Sequence, residues 1–309
     1  ESALGKEVVR YHSFDETKVA IDNPFDHFLA SYGHFFPSSG QRWCTQKMKL
    51  EPFEKNVGDE PTISYVGIRG DENREGYISK RENIQTIFPF RKNIWSSDVI
   101  KTAFSIQHID TLRAALQNHF DQIEAKPVLK IFDTPLSLTF TLNHKVESLL
   151  DFNTTAFNHA VHAVLKNTDY PVGKLDNYPL LENQEILGID DIFKLLEESG
   201  VGIPAYYLPV EFTANIDGEI KTGTYSRSRS GCFFCFFQQK IEWVWLLEQH
   251  PKLFEKAVEY EKDGYTWSEE PLSELMKPDR VNQIKANYIK KTERAKKHAQ
   301  GQLNWKDEI

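Results

Sequence analysis

The chain has 309 residues, 40% of them hydrophobic and 27% charged, with a formal net charge of −8. That length allows one large domain or two smaller ones with a sizeable core, and the acidic balance excludes a protein that coats nucleic acid over its whole surface. No apolar run approaches the roughly 20 residues a membrane-spanning helix needs, no charged-then-apolar leader opens the sequence, and three cysteines, an odd number, do not make a secreted disulfide scaffold.

A cytoplasmic protein without membrane contact is therefore expected. Because the first residue is Glu1 rather than Met, a fragment, a processed chain or a trimmed one is expected too.

In chain order, Val8–His12 reads as a strand tail and 23–32 as a short helix with Asn23 as N-cap and Pro24 at its first position. A loop over 33–40 delivers Arg42, Trp43 and Cys44. Residues 62–68 alternate and are rich in β-formers, which predicts a strand running into the polar loop Arg69-Gly-Asp-Glu-Asn-Arg74. In open α/β sheets ligands bind at such carboxyl ends. Phe88-Pro-Phe90 marks a turn before a serine-capped helix near Asp98.

Residues 105–185 read as an inserted α/β element. One helix places Leu112, Leu116, Phe120 and Ile123 on one face, Leu136, Leu138, Phe140 and Leu142 follow at period two, and a second helix carries Phe157, Ala160, Val161 and Val164. A helix over 186–196 stops at Gly200 and Gly202. An Asp217-Gly218 turn then leads to Arg229-Ser-Gly-Cys232-Phe-Phe-Cys235-Phe-Phe, helices follow near 241–248 and from Pro251, and a basic helix spans 279–298. The resulting segments are 1–104, 105–185, 186–265 with the cysteine knuckle, and 266–309 with the basic helix and tail.

The Cys232/Cys235 pair aims two sulfurs at one centre, inside a shell of four phenylalanines that excludes water. Cys44, 188 positions upstream of Cys232, is the third candidate ligand. The fourth is a histidine, a carboxylate, a substrate atom or a residue on another segment, so zinc and a [4Fe–4S] cluster both stay open. Two buried free cysteines among aromatics are the plain alternative.

Arg42, Lys47 and Lys49 flank Cys44, where their charge would bind an anion and lower the thiol pKa; a solvated basic loop is the simpler account. Arg69 and Arg74 could clamp phosphate or sulfate while Asp71 and Glu72 hold magnesium through water, or the four could form an ion-pair cluster that braces the loop. His159 and His162 lie one helical turn apart, and read better as the solvated edge of an amphipathic helix than as ligands. The basic C-terminal helix is a candidate contact for nucleic acid or an acidic protein partner, against the plainer reading as solvated surface.

In order along the chain, Arg42-Trp-Cys-Thr with Lys47 and Lys49, Tyr65-Val-Gly-Ile-Arg-Gly-Asp-Glu72 with Arg74-Glu-Gly-Tyr77, Phe88-Pro-Phe90 with Asp98, and Arg229-Ser-Gly-Cys-Phe-Phe-Cys235 together resemble the phosphoadenosine-phosphosulfate (PAPS) reductase-like family of the PP-loop ATP-pyrophosphatase superfamily. Glu242-Trp243 and His250-Pro251 add to the likeness, which covers about residues 1–100 and 186–265. The resemblance implies a partial Rossmann-like sheet of the adenine-nucleotide α-hydrolase type. It also implies binding of ATP or adenylyl sulfate with magnesium, and sulfur transfer or substrate adenylylation. Several members carry an iron–sulfur cluster, and one branch works in DNA modification and phage defence.

Two departures matter. The family's Ser-Gly-Gly-x-Asp-Ser phosphate loop is nowhere in the sequence, so it is expected on a preceding segment or from another polypeptide. Trp43-Cys44 stands where reductases commonly have adjacent cysteines, which points away from assimilatory sulfate reduction.

Overall fold

The computed structural model describes residues 5, 23–121, 123–228, 231–262 and 264–299; the Val8–His12 segment and Arg229 lie outside them. Two compact units form, one from 1–56 with 202–309 and one from 57–201. In chain order come α1 (Pro24–Ser31), α2 (Trp43–Thr45), a π-helical stretch Gln46–Leu50, α3 (Glu51–Val57), β1 (Thr62–Tyr65) and β2 (Ile84–Ile87). Then follow α4 (Ser97–Ala103), α5 (Ile109–Asn118), α6 (Ala125–Asp133), α7 (Leu142–Phe152), α8 (Thr154–Leu165) and α9 (Ile189–Glu198). The hairpin β3 (Val210–Ile216) and β4 (Glu219–Tyr225) precedes α10 (Lys240–Gln249), α11 (Pro251–Tyr260), α12 (Leu272–Leu275) and α13 (Pro278–Ala299).

The fold is mixed α/β and mainly helical. Among the described residues the sheets are a parallel pair, β1 with β2, and the antiparallel hairpin. No described helix is long and apolar enough to cross a membrane.

In the first unit, α1 forms where expected. The Asn23 side chain accepts a hydrogen bond from Phe25 N at 3.1 Å, Pro24 presets the first turn, and Phe25 and Leu29, four residues apart, are buried together. The hairpin turns at Asp217 and Gly218, both at positive φ (54° and 92°), the pairing that matches strand twist. Helix α10 is buried nearly all round, with Trp243 and Val244 fully enclosed, and α11 and α13 pack their apolar stripes into the same core.

The second unit's core surrounds Trp95, Leu112, Phe157 and Leu165. Strand β2 is buried at all four positions, as parallel strands are; Gln85 Oε1 accepts from Val172 N at 2.8 Å and Thr86 donates to Tyr77 O at 3.1 Å, while Gln85 Nε2 has no partner among the described residues. Helix α8 buries Phe157, Ala160, Val161 and Val164 as the sequence predicts. Its cap is Asn153, whose side chain accepts from Ala156 N at 2.8 Å. Replacing Asn153 by alanine is expected to cost about 1 kcal/mol, and by serine much less, read from denaturant midpoints.

Three expectations need correction. The strand read over 62–68 ends at Tyr65, because Ile68 N bonds Val66 O at 2.8 Å and draws the chain out of the ladder. Ile123 leaves the apolar face of the first predicted helix: α5 ends at Asn118, Asp121 accepts from both Ile123 N and Glu124 N at 2.8 Å, and Ile123 is left 77% exposed. The period-two leucines 136–142 make no strand. Ser137 and Phe140 close a turn on each other, Leu138 is fully exposed, and Leu142 opens α7 behind a Thr141/His144 capping box. The expected α/β insert at 105–185 is consequently helical among its described residues.

Candidate functional site

In the first unit the cysteine loop hangs between β4 and α10. Strand parity continues past Tyr225 and turns Arg227 inward, while Arg227 N bonds Tyr206 O at 2.9 Å. The loop is closed by one carboxylate. Glu242, 2% exposed in the first turn of α10, accepts from Ser228 N at 2.7 Å and Ser228 Oγ at 3.0 Å with one oxygen, and from Gln239 N at 2.8 Å with the other. Its three donors come from the two ends of the segment carrying Cys232 and Cys235.

Aromatic packing brings Cys44 to that segment. Phe25 lies against Trp43 at 5.2 Å and against Phe234 at 4.4 Å, so one ring joins the neighbour of Cys44 to the neighbour of Cys235. Trp43 is fixed further by its Nε1 donating to Phe35 O at 3.1 Å. All three cysteines are free; Cys44 and Cys235 are half-buried and Cys232 is exposed. Burial pushes the Cys44 thiol up, and charge on Cys232 and Cys235 pushes it further. The three sulfurs are electrostatic neighbours, yet among the described residues no three His, Cys, Asp or Glu side chains stand as a finished ligand set.

The flanking cations behave differently from expectation. The Cys44 thiol is raised, with Thr45 the source of the opposing hydrogen bonds. Exposed Arg42 lies over the Phe237 ring at 5.5 Å, Lys47 pairs with Glu51 at 2.7 Å, and Lys49 is exposed. The cation closest in bonding to the loop is Arg227, which the sequence reading passed over although period-two alternation marks it as inward-facing. It is 6% exposed, donates to Cys232 O at 3.4 Å and lies 6.0 Å from the Trp245 ring; its Nε has no partner among the described residues.

In the second unit the loop after β1 is an ion-pair cluster. Arg69 reaches Asp71 at 2.9 Å and Glu72 at 3.1 Å, Glu72 also takes Arg74 at 2.5 Å, and Arg91 donates to Glu72 O and Arg74 O, each at 2.6 Å. The carboxylates read as magnesium ligands are thus engaged by guanidinium groups. Gly70 permits this geometry, since a Cβ there would stand 2.1 Å from Ile186 Cγ2. Its N–H is bonded to Leu187 O at 2.9 Å.

Beside the loop opens a cavity of about 620 Å³, lined by Arg74, Arg91, Lys92 and Lys101 and by five carboxylates, among them Glu75, Glu147 and Asp151. Lys92 is paired with Asp151, whereas exposed Lys101 has no ion pair among the described residues. Arg91, Lys92 and Lys101 carried no motif and were missed; only the fold gathers them.

The histidines are not a pair of ligands facing one centre. His159 bonds Glu182 at 2.6 Å, while His162, expected on a solvated edge, is buried with Nε2 against Val172 O and Leu175 O at 3.2 and 3.1 Å. Burial lowers its pKa. Compared with known proteins, the chain matches no family model, no curated protein and no solved structure.

Proposed function

We propose that the chain is a PAPS reductase-like, nucleotide-dependent enzyme of sulfur transfer or adenylylation, with a metal held by Cys44, Cys232 and Cys235, serving DNA modification or phage defence. The observation that carries this reading is the packing of Cys44 and of the phenylalanines beside Cys232 and Cys235, 188 or more positions downstream, into one aromatic cluster, with both downstream thiols acting on the charge of Cys44. Zinc held there would staple the loop, and a [4Fe–4S] cluster would add an electron store. The parallel β1–β2 pair and the cavity beside its carboxyl end, where four cations stand among five carboxylates, support a Rossmann-like nucleotide fold with an anion site. In that cavity Arg74, Arg91 and Lys101 would neutralise the phosphate or sulfate of ATP or adenylyl sulfate, with Arg69 setting the loop and magnesium exchanging into Asp71 and Glu72. Adenylylation would join a substrate oxygen or sulfur to the α-phosphorus as the bond to the β-phosphate breaks and pyrophosphate leaves. The phosphate loop itself must come from outside this sequence.

The test is ATP titration with pyrophosphate release. Lys101→Ala and Arg69→Ala are each expected to weaken nucleotide binding about tenfold, the loss of roughly 1.4 kcal/mol of charge-assisted contact. Unchanged affinity in both removes the anion site. A second reading is favoured by the internal pairing of Arg69 and Arg74: a noncatalytic, metal-stapled scaffold in a defence complex, binding a protein partner. Stoichiometric zinc with no pyrophosphate release, even with copurifying polypeptides present, would select it.

A further inference from the structure

We propose that the exposed face and free end of α13 bind the phosphate backbone of duplex DNA. This deepens the DNA-modification side of the reading above, but its test involves neither metal nor nucleotide. At about 100° per residue, Ile284, Lys285 and Ile289 fall with half-buried Tyr288 and Thr292 on the face turned into the core. Lys290, Lys291, Arg294 and Lys297 fall on the opposite side, continued toward the N-terminus by exposed Asn287. Residues 293–298 are exposed all round, so the last turn and a half stands clear of its own unit.

Charge pairing along the helix is uneven. Lys277 is bonded to Glu274 at 2.5 Å, Arg280 to Glu270 at 2.5 Å and Lys285 to Glu248 at 2.6 Å, so the cations near the core each have a carboxylate. Beyond them Lys290 only approaches Asp217 at 3.7 Å, and Lys291, Arg294, Lys296 and Lys297 have no ion pair among the described residues. Cations in a last turn complement the helix dipole by a few tenths of a kcal/mol, which accounts for Lys296 and Lys297 but not for Lys290 and Lys291. A stripe in which Lys290 alone has an ion pair among the described residues, and Glu293 is the one acid within 290–298, is on a chain of net charge −8 a local counter-charge for a polyanion.

Shape decides which polyanion. Lys290 to Lys297 spans about 10 Å of rise on a rod about 10–12 Å wide, and the B-DNA major groove, about 12 Å wide, admits such a rod while the narrow A-form groove does not. A lipid surface would need an apolar face, and that face of α13 is already packed in the core.

The experiment is fluorescence anisotropy of the full chain with a labelled duplex of arbitrary sequence, between 50 and 200 mM KCl. Wild type is expected to bind at low salt and to lose roughly two to three orders of magnitude across that range, as about five phosphate contacts require. The Lys291→Gln/Arg294→Gln/Lys297→Gln variant should bind at least about tenfold more weakly, with the log–log salt slope shallower by nearly 3. A control, Lys55→Gln/Lys126→Gln/Lys252→Gln, removes the same charge from other exposed positions and should keep the wild-type slope; circular dichroism checks that α13 persists in both. Equal slopes for the two variants overturn the proposal, as does wild type that binds duplex RNA or a polyglutamate peptide as tightly as duplex DNA.

Discussion

Cys44→Ser protein is expected to emerge from purification with less than about a tenth of the metal carried by wild type, its affinity lowered by a factor of at least about 100. Loss of an outer-sphere partner alone costs about 10–100-fold, and a thiolate ligand contributes more. Cys44 is the informative position because Cys232 and Cys235 share one loop and could hold an ion as a pair, whereas the Cys44 segment is joined to that loop by tertiary contacts, chiefly the Trp43–Phe25–Phe234 stack. Burial in that stack already penalises a bare Cys44 thiolate, and a bound cation would offset the penalty. Metal content by plasma mass spectrometry and absorbance near 400 nm, lost on reduction if a cluster is present, give the readout. A Cys44→Ser protein that keeps its metal, beside a Cys232→Ser protein that loses it, would leave a two-thiol site and end the shared centre.

What could be seen in the residues divides along the range of the forces involved. Local signals were readable: the Asn23-Pro24 cap, the Asp217-Gly218 turn, the apolar stripe of α8 and the basic run of α13 all reflect physics within a few residues. The helical run through 43–57 was not, because Pro52 and the cation-rich 42–49 segment mask a stretch whose middle winds as a π-helix. Strand β2 was hidden by Gln85 and Thr86, polar residues that meet Val172 N, far along the chain, and Tyr77 O, across the loop before the strand, once the chain is folded. The false alternation at 136–142 shows the converse: period two is a signal only where a partner strand exists, and here the capping of α7 takes the last residue instead. The cysteine site was visible as residue types but not as geometry. Its closing carboxylate, Glu242, was noticed only as part of a family likeness, although its position three residues after Gln239 is that of a helix N3 capping side chain.

That carboxylate is where the first unit should be most sensitive to a polar substitution. Glu242→Ala removes an acceptor buried at 2% exposure and strands Ser228 N, Ser228 Oγ and Gln239 N, for which charge-assisted bonds of about 1.5–3 kcal/mol each, not fully additive, give an expected loss of about 3–5 kcal/mol. Glu242→Gln should fall between, since an amide accepts through its oxygen but presents its NH₂ to a donor on the other side. With an m-value of about 2–3 kcal/mol per molar urea, the alanine variant's midpoint should drop by roughly 1–2 M, followed by fluorescence of the core tryptophans. Stability alone does not identify the loop as the part released, so alkylation of Cys235 supplies the second measurement. It should accelerate in native conditions well below the unfolding midpoint, because opening of the 228–239 segment is local and α10 keeps its apolar contacts. If stability falls by less than about 1 kcal/mol and Cys235 reacts at the wild-type rate, the aromatic cluster holds the knuckle by itself and the carboxylate is dispensable.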